Sequence, residues 1–456
     1  MVPAAYPDQV EPARFGYVII MPIQSHLPPL RSERPFLALD QVGPITDRSS
    51  TSFWPSEVVP AAPAQAVDLD PELLPHIAIT CIHDGSAIPS DFLTRQGRPV
   101  DPAEIEALYA RERDWGAGLV AAELAGALGV SGFLHIHIAR VLMDFGRFPG
   151  LTPLNAGYME RLAINSPFAQ WLDFDQKWAL LERCYDRISD HMDRDVCRKV
   201  LTIGVHTYDV YNASGTLRPE ISIINRLQAY QQHSRMPYGI FDPLYPDGLG
   251  EYTCDRVLPS RVSLHLERNG VPVALNFPYC LPEGSVEVRS QVWHFFDFVR
   301  ERLHEVAPGI VEDPIYDLVW DMLLDTNLRS SESQALRSTL HLFRTAPRGR
   351  KREFEAARRA YNHIEGFVHG NGGALIDDYR FDGGRPGAIG IEIRKDLVWE
   401  FDRKGNPVGP RRDNAQKLAR LIAEALELYF RTDRTRRIPF NEAIRRHRLP
   451  HHLAPV

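Results

Sequence analysis

Three runs rich in β-branched residues, each ending in a polar turn and separated from the next by helical sequence, constrain this chain more than any other feature. They are "HIAITCIHDGSAIP" (76–89), "SGFLHIHIARVLMDF" (131–145) and "CRKVLTIGVHTYDV" (197–210), and each reads as a buried strand. Between the first two lies "DPAEIEALYARERDWGAGLVAAELAGALG" (101–129). Asp101 and Pro102 there suit an N-cap and first helical position, and apolar residues recur at three and four, which predicts one or two helices. Between the second and third, "SPFAQWLDFDQKWALLERCYDRISDHMD" (166–193) is strongly helical. Strand, helix, strand, helix, strand specifies an α/β fold, with a mixed, mostly parallel sheet flanked by helices. Ligands of such sheets bind beyond the carboxyl ends of the strands, so the polar residues that close each run are the first candidates for chemistry.

The 456 residues suffice for one large domain with insertions or for two to three ordinary ones. Residues 1–70, rich in Pro, Ala and Ser, read as an arm and loops packed on the core, with one short strand candidate at 16–23. Residues 71–230 form the first part of the α/β core, 231–368 an inserted subdomain, and 369–456 the last part of the core with a C-terminal helix. Within the insertion, 258–280 reads as a hairpin turning at Asn269-Gly270, and 290–306 and 352–368 as helices. A strand over 387–400 and an amphipathic helix over 414–430 close the core.

Composition removes several classes. A formal net charge of −7 provides no basic field for nucleic acid. No apolar run approaches the ~20 residues that span a bilayer, and the N-terminus lacks a basic start followed by an apolar core, so neither membrane insertion nor a signal peptide is expected. The five cysteines are odd in number and never in a CxxC spacing, which argues against a disulfide framework or thiolate zinc site and for a reducing cytoplasm.

The first strand delivers His83 and Asp84 to the sheet's carboxyl end, the third His206 and Asp209, and the last Glu392. Asp114 sits where "RERDWGAG" interrupts the helical pattern. Two imidazoles and a carboxylate make a common catalytic zinc shell with a coordination position left open. Asp84, Asp114, His135 and His137 all compete for the third place, the two histidines alternating on one face of the second strand. Glu392 is the natural general base. Arg140, Asp144 and Arg147, spaced by four and three in "ARVLMDFGR" (139–147), make either a structural ion network or an anion-binding wall.

Five pieces in order resemble the N-formylglutamate amidohydrolase family. Its Pro-His-Ala-Gly strand end followed by Ile-Pro is similar to "IHDGSAIP", and its Asp-Trp in a helical stretch to "RDWGAGL". Its Ser-Arg-x-x-x-Asp-x-Asn-Arg motif is similar to "ARVLMDFGR", and its Asp-x-His-Ser-Tyr strand end to "GVHTYDV". Its Gly-Gly followed by Gln-x-Glu-Ile resembles "NGGALIDDYRFDGGRPGAIGIEIRKDLVWE". The likeness runs over about 76–226 and 371–430.

The resemblance implies a phosphorylase/hydrolase-like α/β fold related to zinc carboxypeptidases and a metal-dependent amidohydrolase binding one divalent metal, zinc by expectation. His83, His206 and Asp114 would be ligands and Glu392 the base that activates water. Arg140 and Arg147 would bind a substrate carboxylate, which a guanidinium fork matches bidentately, with Asp144 holding one guanidinium in place. The expected substrate is a small carboxylate-bearing amide, N-formylglutamate-like or an N-acyl amino acid. The alternative is a tailoring enzyme whose insertion docks a peptide or protein. Departures from the family pattern include Ile82 for Pro, Ala139 for Ser, Gly146 for Asn and Thr207 for Ser. Glu287, on a strand-like segment before a helix, competes with Glu392 as base. Glu392 is preferred because Gly372-Gly373 precedes it and a helix follows.

Overall fold

A computed structural model describes residues 45–48, 53–149, 162–196, 199–228, 241–249, 252–327, 329, 331–341, 345–382 and 385–434. The chain divides into residues 1–35, none of them described, and a unit of residues 36–456 to which everything below belongs. The strand candidate at 16–23 lies outside the described residues.

Seven strands form the main sheet: β1 (Ser56–Pro60), β2 (Ile77–Cys81), β3 (Gly132–Ile136), β4 (Leu201–Tyr208), β5 (Ile221–Ile224), β6 (Val273–Leu275) and β7 (Gly387–Arg394). Their spatial order is β6-β5-β7-β4-β2-β3-β1. The four central strands are mutually parallel. Strand β1 runs antiparallel on one edge, while β5 runs antiparallel to β7 and carries β6 beside it. The architecture is therefore α/β with a mostly parallel sheet flanked by helices. Strand β1 was not foreseen; it is five residues of the arm expected at 1–70.

Alternation along the central strands sends side chains to two different environments. Ile203 and Val205 of β4 and Ile389, Ile391 and Ile393 of β7 join one core with helices α2 (Ala117–Leu128), α3 (Val257–Arg268) and α8 (Arg412–Leu428). The alternate positions Gly204, His206, Gly390 and Glu392 are small or polar. On that face lies α4 (Val286–Val306), which packs on β4 and β7. Its other side shares a second core with α5 (Pro314–Leu324), α6 (Ser331–His341) and α7 (Lys351–Phe381), built around Phe295, Phe296, Trp320, Ile364 and Phe367. Among the described residues no helix is long and apolar enough to cross a membrane.

Four local expectations are corrected. The second strand ends at Ile136, and residues 139–147 fold instead into successive turns closed by the Leu142 amide on the Ala139 carbonyl (2.9 Å) and the Arg147 amide on the Asp144 carbonyl (3.2 Å). A strand would send Asp144 and Arg147 to opposite faces; the turns gather all three charges. The expected hairpin at 258–280 is helix α3, and its Asn269-Gly270 turn is the helix C-terminus. Gly270 takes φ +78° there, and the Gly270 and Val271 amides donate to the Glu267 and Leu266 carbonyls (both 3.0 Å). Gly372 and Gly373 lie inside α7, with nothing within 4 Å of an added Cβ, so they form no loop before β7. That helix also runs through the boundary drawn between 368 and 369. Glu287 stands in the first turn of α4, capped by Ser285, and not on a strand.

Candidate metal centre

Asp114 occupies the break between α1 (Glu106–Glu112) and α2. Arg113 leaves the helix extended, and Gly116 takes φ +85°, where an added Cβ would stand 2.8 Å from Val398 Cγ2. The break is stitched to two strand ends at once. The Asp114 amide donates to the His83 carbonyl (3.1 Å), and the Thr207 hydroxyl donates to the Trp115 carbonyl (3.1 Å). A crossover helix interrupted in this way can hold an aspartate over the carboxyl ends of β2 and β4.

Three side chains converge there. Asp114 Oδ2 lies 3.5 Å from His83 Nδ1 and 3.3 Å from His206 Nδ1. One donor atom from each of the three falls within 4.8 Å of the others, and all three residues are buried or nearly so. Glu392 is the register partner of His206 on the neighbouring strand. Of the four competitors for the third position, Asp114 alone joins both imidazoles.

Asp84 serves elsewhere. Its carboxylate accepts from Arg113 Nε (2.6 Å) and from the Gly118 amide (2.8 Å) at the start of α2. His135 Nδ1 faces His137 Nδ1 (3.2 Å), and His137 Nε2 lies 3.2 Å from Glu57. Cys81, Asp84 and His135 do form a second buried group within 4.8 Å. There the Asp84 charge is already balanced by Arg113, so a cation would add uncompensated positive charge beside a guanidinium. Asp209 is also outside the centre, paired with Lys395 (3.0 Å).

Asp144 accepts from His83 Nε2 (2.7 Å) and from the Gly146 amide (2.9 Å), with Arg140 Nε at 3.4 Å and Arg147 Nε at 3.6 Å. It stands against His83 Nε2 and holds both guanidiniums where one was expected. Gly146 explains its own departure: a Cβ there would stand 3.1 Å from Asp144 Oδ1. Arg140 is also tied to Asp114 Oδ1 through NH1 (3.0 Å). The side chains of Arg140 and Arg147 are 25% and 22% exposed, against 3% and 6% for the two aspartates.

The charges explain one another. Burial opposes ionisation of Asp114, but the Arg140 charge and a hydrogen bond from His206 hold its carboxyl far below the usual range. Asp144 is likewise held low against burial by His83 and Arg140. Burial works against a charged His206, yet its hydrogen bond to Asp114 and the charges of Glu392, Asp114 and Glu287 lift it to about 9. Burial raises Glu392, and Asp114 adds to this, while His206 and a hydrogen bond from Tyr279 oppose.

A divalent metal fits these residues. His83 spends Nε2 on Asp144, which leaves Nδ1 as a lone pair, and that atom is buried without a hydrogen-bond partner. It faces a carboxylate oxygen, another acceptor, an arrangement that a cation between them reconciles. Tyr279 was not anticipated from the sequence. Nothing in "NFPYC" distinguishes it, because its link to Glu392 exists only once the 276–282 segment crosses the end of β7.

No family model matches the chain, and no curated protein does. Solved structures do align with it, two of which follow. One is the gene product Atu2144 of Agrobacterium tumefaciens, 16% identical over 78% of this chain and 92% of its own, with a TM-score of 0.37. The other is an N-formylglutamate amidohydrolase from Ralstonia eutropha JMP134, 13% identical over 86% of this chain and 99% of its own, with a TM-score of 0.39.

Proposed function

We propose that this protein is a metal-dependent amidohydrolase that cleaves an amide bond in a carboxylate-bearing substrate, of the N-formylglutamate or N-acyl amino acid kind. The observation that carries this reading is the convergence of His83, His206 and Asp114 with Glu392 in register beside His206. A zinc or similar ion held by those three residues would supply polarisation of the scissile carbonyl and a more acidic water.

The chain's own residues do the rest. Glu392 keeps one carboxylate oxygen, Oε2, buried and without a partner, while its carboxyl takes a hydrogen bond from Tyr279. Its raised affinity for a proton suits a group that accepts one during attack and returns it to the leaving nitrogen. Arg140, bound to Asp114 and Asp144, braces the aspartates. Arg147, whose one ion pair among the described residues is the long 3.6 Å contact to Asp144, is the guanidinium best placed to read a substrate carboxylate. We place the protein in the cytoplasm, in keeping with five cysteines that are odd in number and never in a CxxC spacing.

A second reading, a peptide or protein substrate docked by the 231–368 region, draws support from one feature. Phe277 and Tyr279, on the segment that reaches Glu392, are 47% and 38% exposed. Both readings share one experiment: metal analysis of the purified chain, with His83→Ala, His206→Ala and Glu392→Gln variants assayed on N-formylglutamate and on N-formyl peptides. The histidine variants should lose the metal. Glu392→Gln should keep it and lose about 10²–10⁴-fold in kcat. Full metal occupancy surviving both histidine substitutions would sink the proposal.

A further inference from the structure

Glu287 is only 2% exposed, and it enters the sheet face from the capped N-terminus of α4. What admits it is a pair of glycines. Gly204 of β4 and Gly390 of β7 are register partners in the middle of the central strands, where glycine weakens a sheet and needs a reason. An added Cβ at Gly204 would stand 2.1 Å from Glu287 Oε1 and 3.2 Å from His206 Nε2; one at Gly390 would stand 3.6 Å from Glu287 Oε1. The carboxylate therefore occupies the space that two side chains would fill, on the Nε2 side of His206, whose Nδ1 faces Asp114.

The other imidazole also has a carboxylate on its Nε2 side, there in direct contact at 2.7 Å. His83 presents Nδ1 to Asp114 and gives Nε2 to a buried carboxylate, Asp144. We propose that Glu287 is a positioning residue for His206. Its carboxylate, seated over the Gly204–Gly390 pair, sets a negative charge on the Nε2 side of the ring so that Nδ1 points to the metal position, through space and without the direct hydrogen bond that Asp144 makes to His83. A carboxylate behind a ligating histidine fixes the tautomer and raises the ligand's basicity. The inference rests on the metal reading above, and it gives the 231–368 region a part in that site through the first turn of α4.

The test is zinc affinity by chelator competition for the full-length wild-type chain, Glu287→Gln and Gly204→Ala, with the visible spectrum of the Co2+-loaded proteins and the melting of the metal-free ones. Glu287→Gln keeps the shape and removes the charge. It should weaken zinc about 10–100-fold and alter the cobalt bands, while metal-free melting stays near wild type. Gly204→Ala, whose methyl evicts Oε1, should weaken zinc in the same direction, and it carries the test if the glutamine variant does not fold. Unchanged zinc affinity and cobalt spectra in the folded variants overturn the inference alone, leaving Glu287 as an acid at a helix N-terminus. A wild-type chain that binds no divalent metal overturns the metal reading and the inference with it.

Discussion

Arg147 and Arg140 look interchangeable in "ARVLMDFGR", and the fold separates them. Arg140 reaches Asp114 at 3.0 Å and Asp144 at 3.4 Å, so its charge is spent on aspartates. Among the described residues, Arg147 makes just the 3.6 Å ion pair with Asp144. Arg147→Ala should therefore raise KM for a carboxylate-bearing amide by at least about tenfold, the scale of a lost charge-assisted hydrogen bond, with metal content unchanged. Arg147→Lys should recover little, because an ammonium lacks the bidentate fork. Steady-state kinetics with zinc analysis checks both; an unaltered KM in Arg147→Ala would return the residue to a purely structural network. At this scale the sequence was most readable where chemistry sits at an element's edge. His83, His206 and Glu392 close or follow strands, and Asp114 interrupts a helix, so periodicity exposed them. Asp144 was legible as a support for a guanidinium but not for His83, because what stands behind an imidazole depends on turns and close approaches that no local pattern encodes.

Helix α3 shows why a strong local signal can mislead. Asn-Gly between apolar runs is a hairpin signature, yet Leu258, Val262 and Leu266 recur at the helical interval of four and all three are buried in one core. Tertiary burial of that stripe against α8 decided the matter, and Gly270 became the left-handed residue that ends the helix. Gly270→Ala should cost about 1 kcal/mol, the penalty for a Cβ in that backbone region. An added Cβ meets nothing within 4 Å, so the cost is conformational alone. Urea unfolding with an unchanged m-value is the measurement, and no loss of stability would count against the cap. The same logic accounts for the second strand. Its apolar content continued to Phe145, but the chain used those side chains in buried turns, which a two-residue period cannot distinguish from a strand.

At the scale of the whole molecule, the region at 231–368 is joined to the core by more than its two chain crossings. Helix α4 covers the polar face of the sheet, and the segment after α5 is bonded to the helical stretch at 187–195 and its approach. Thr326 donates to Asp193 (2.6 Å), and Arg329 pairs with Asp186 (3.0 Å). Burial, with the Asp325 charge adding to it and the Thr326 hydrogen bond opposing, lifts Asp193 to about 7. A carboxyl whose proton is held more tightly when folded stabilises the fold only while protonated. That contribution is present below the unfolded value near 3.8 and is lost as pH rises through about 7. Asp193→Asn should thus gain stability relative to wild type across that interval, measured by denaturant midpoints from pH 4 to pH 8. Parallel curves for the two proteins would refute the assignment. The alternation of strands and helices made the parallel core legible from sequence, while the way this region wraps one face was not, since α4 reads from its own residues as any amphipathic helix.

The three candidate ligands come from a loop after β2, a broken crossover and the end of β4, with Asp114 and His206 92 positions apart. An ion there would act as a removable cross-link between stretches that meet only in the folded state. Its occupancy would then enter the folding equilibrium by mass action, adding about 2.7 kcal/mol at a free concentration one hundred times Kd. Metal supply would govern how long each copy of the chain persists as well as whether it turns over substrate.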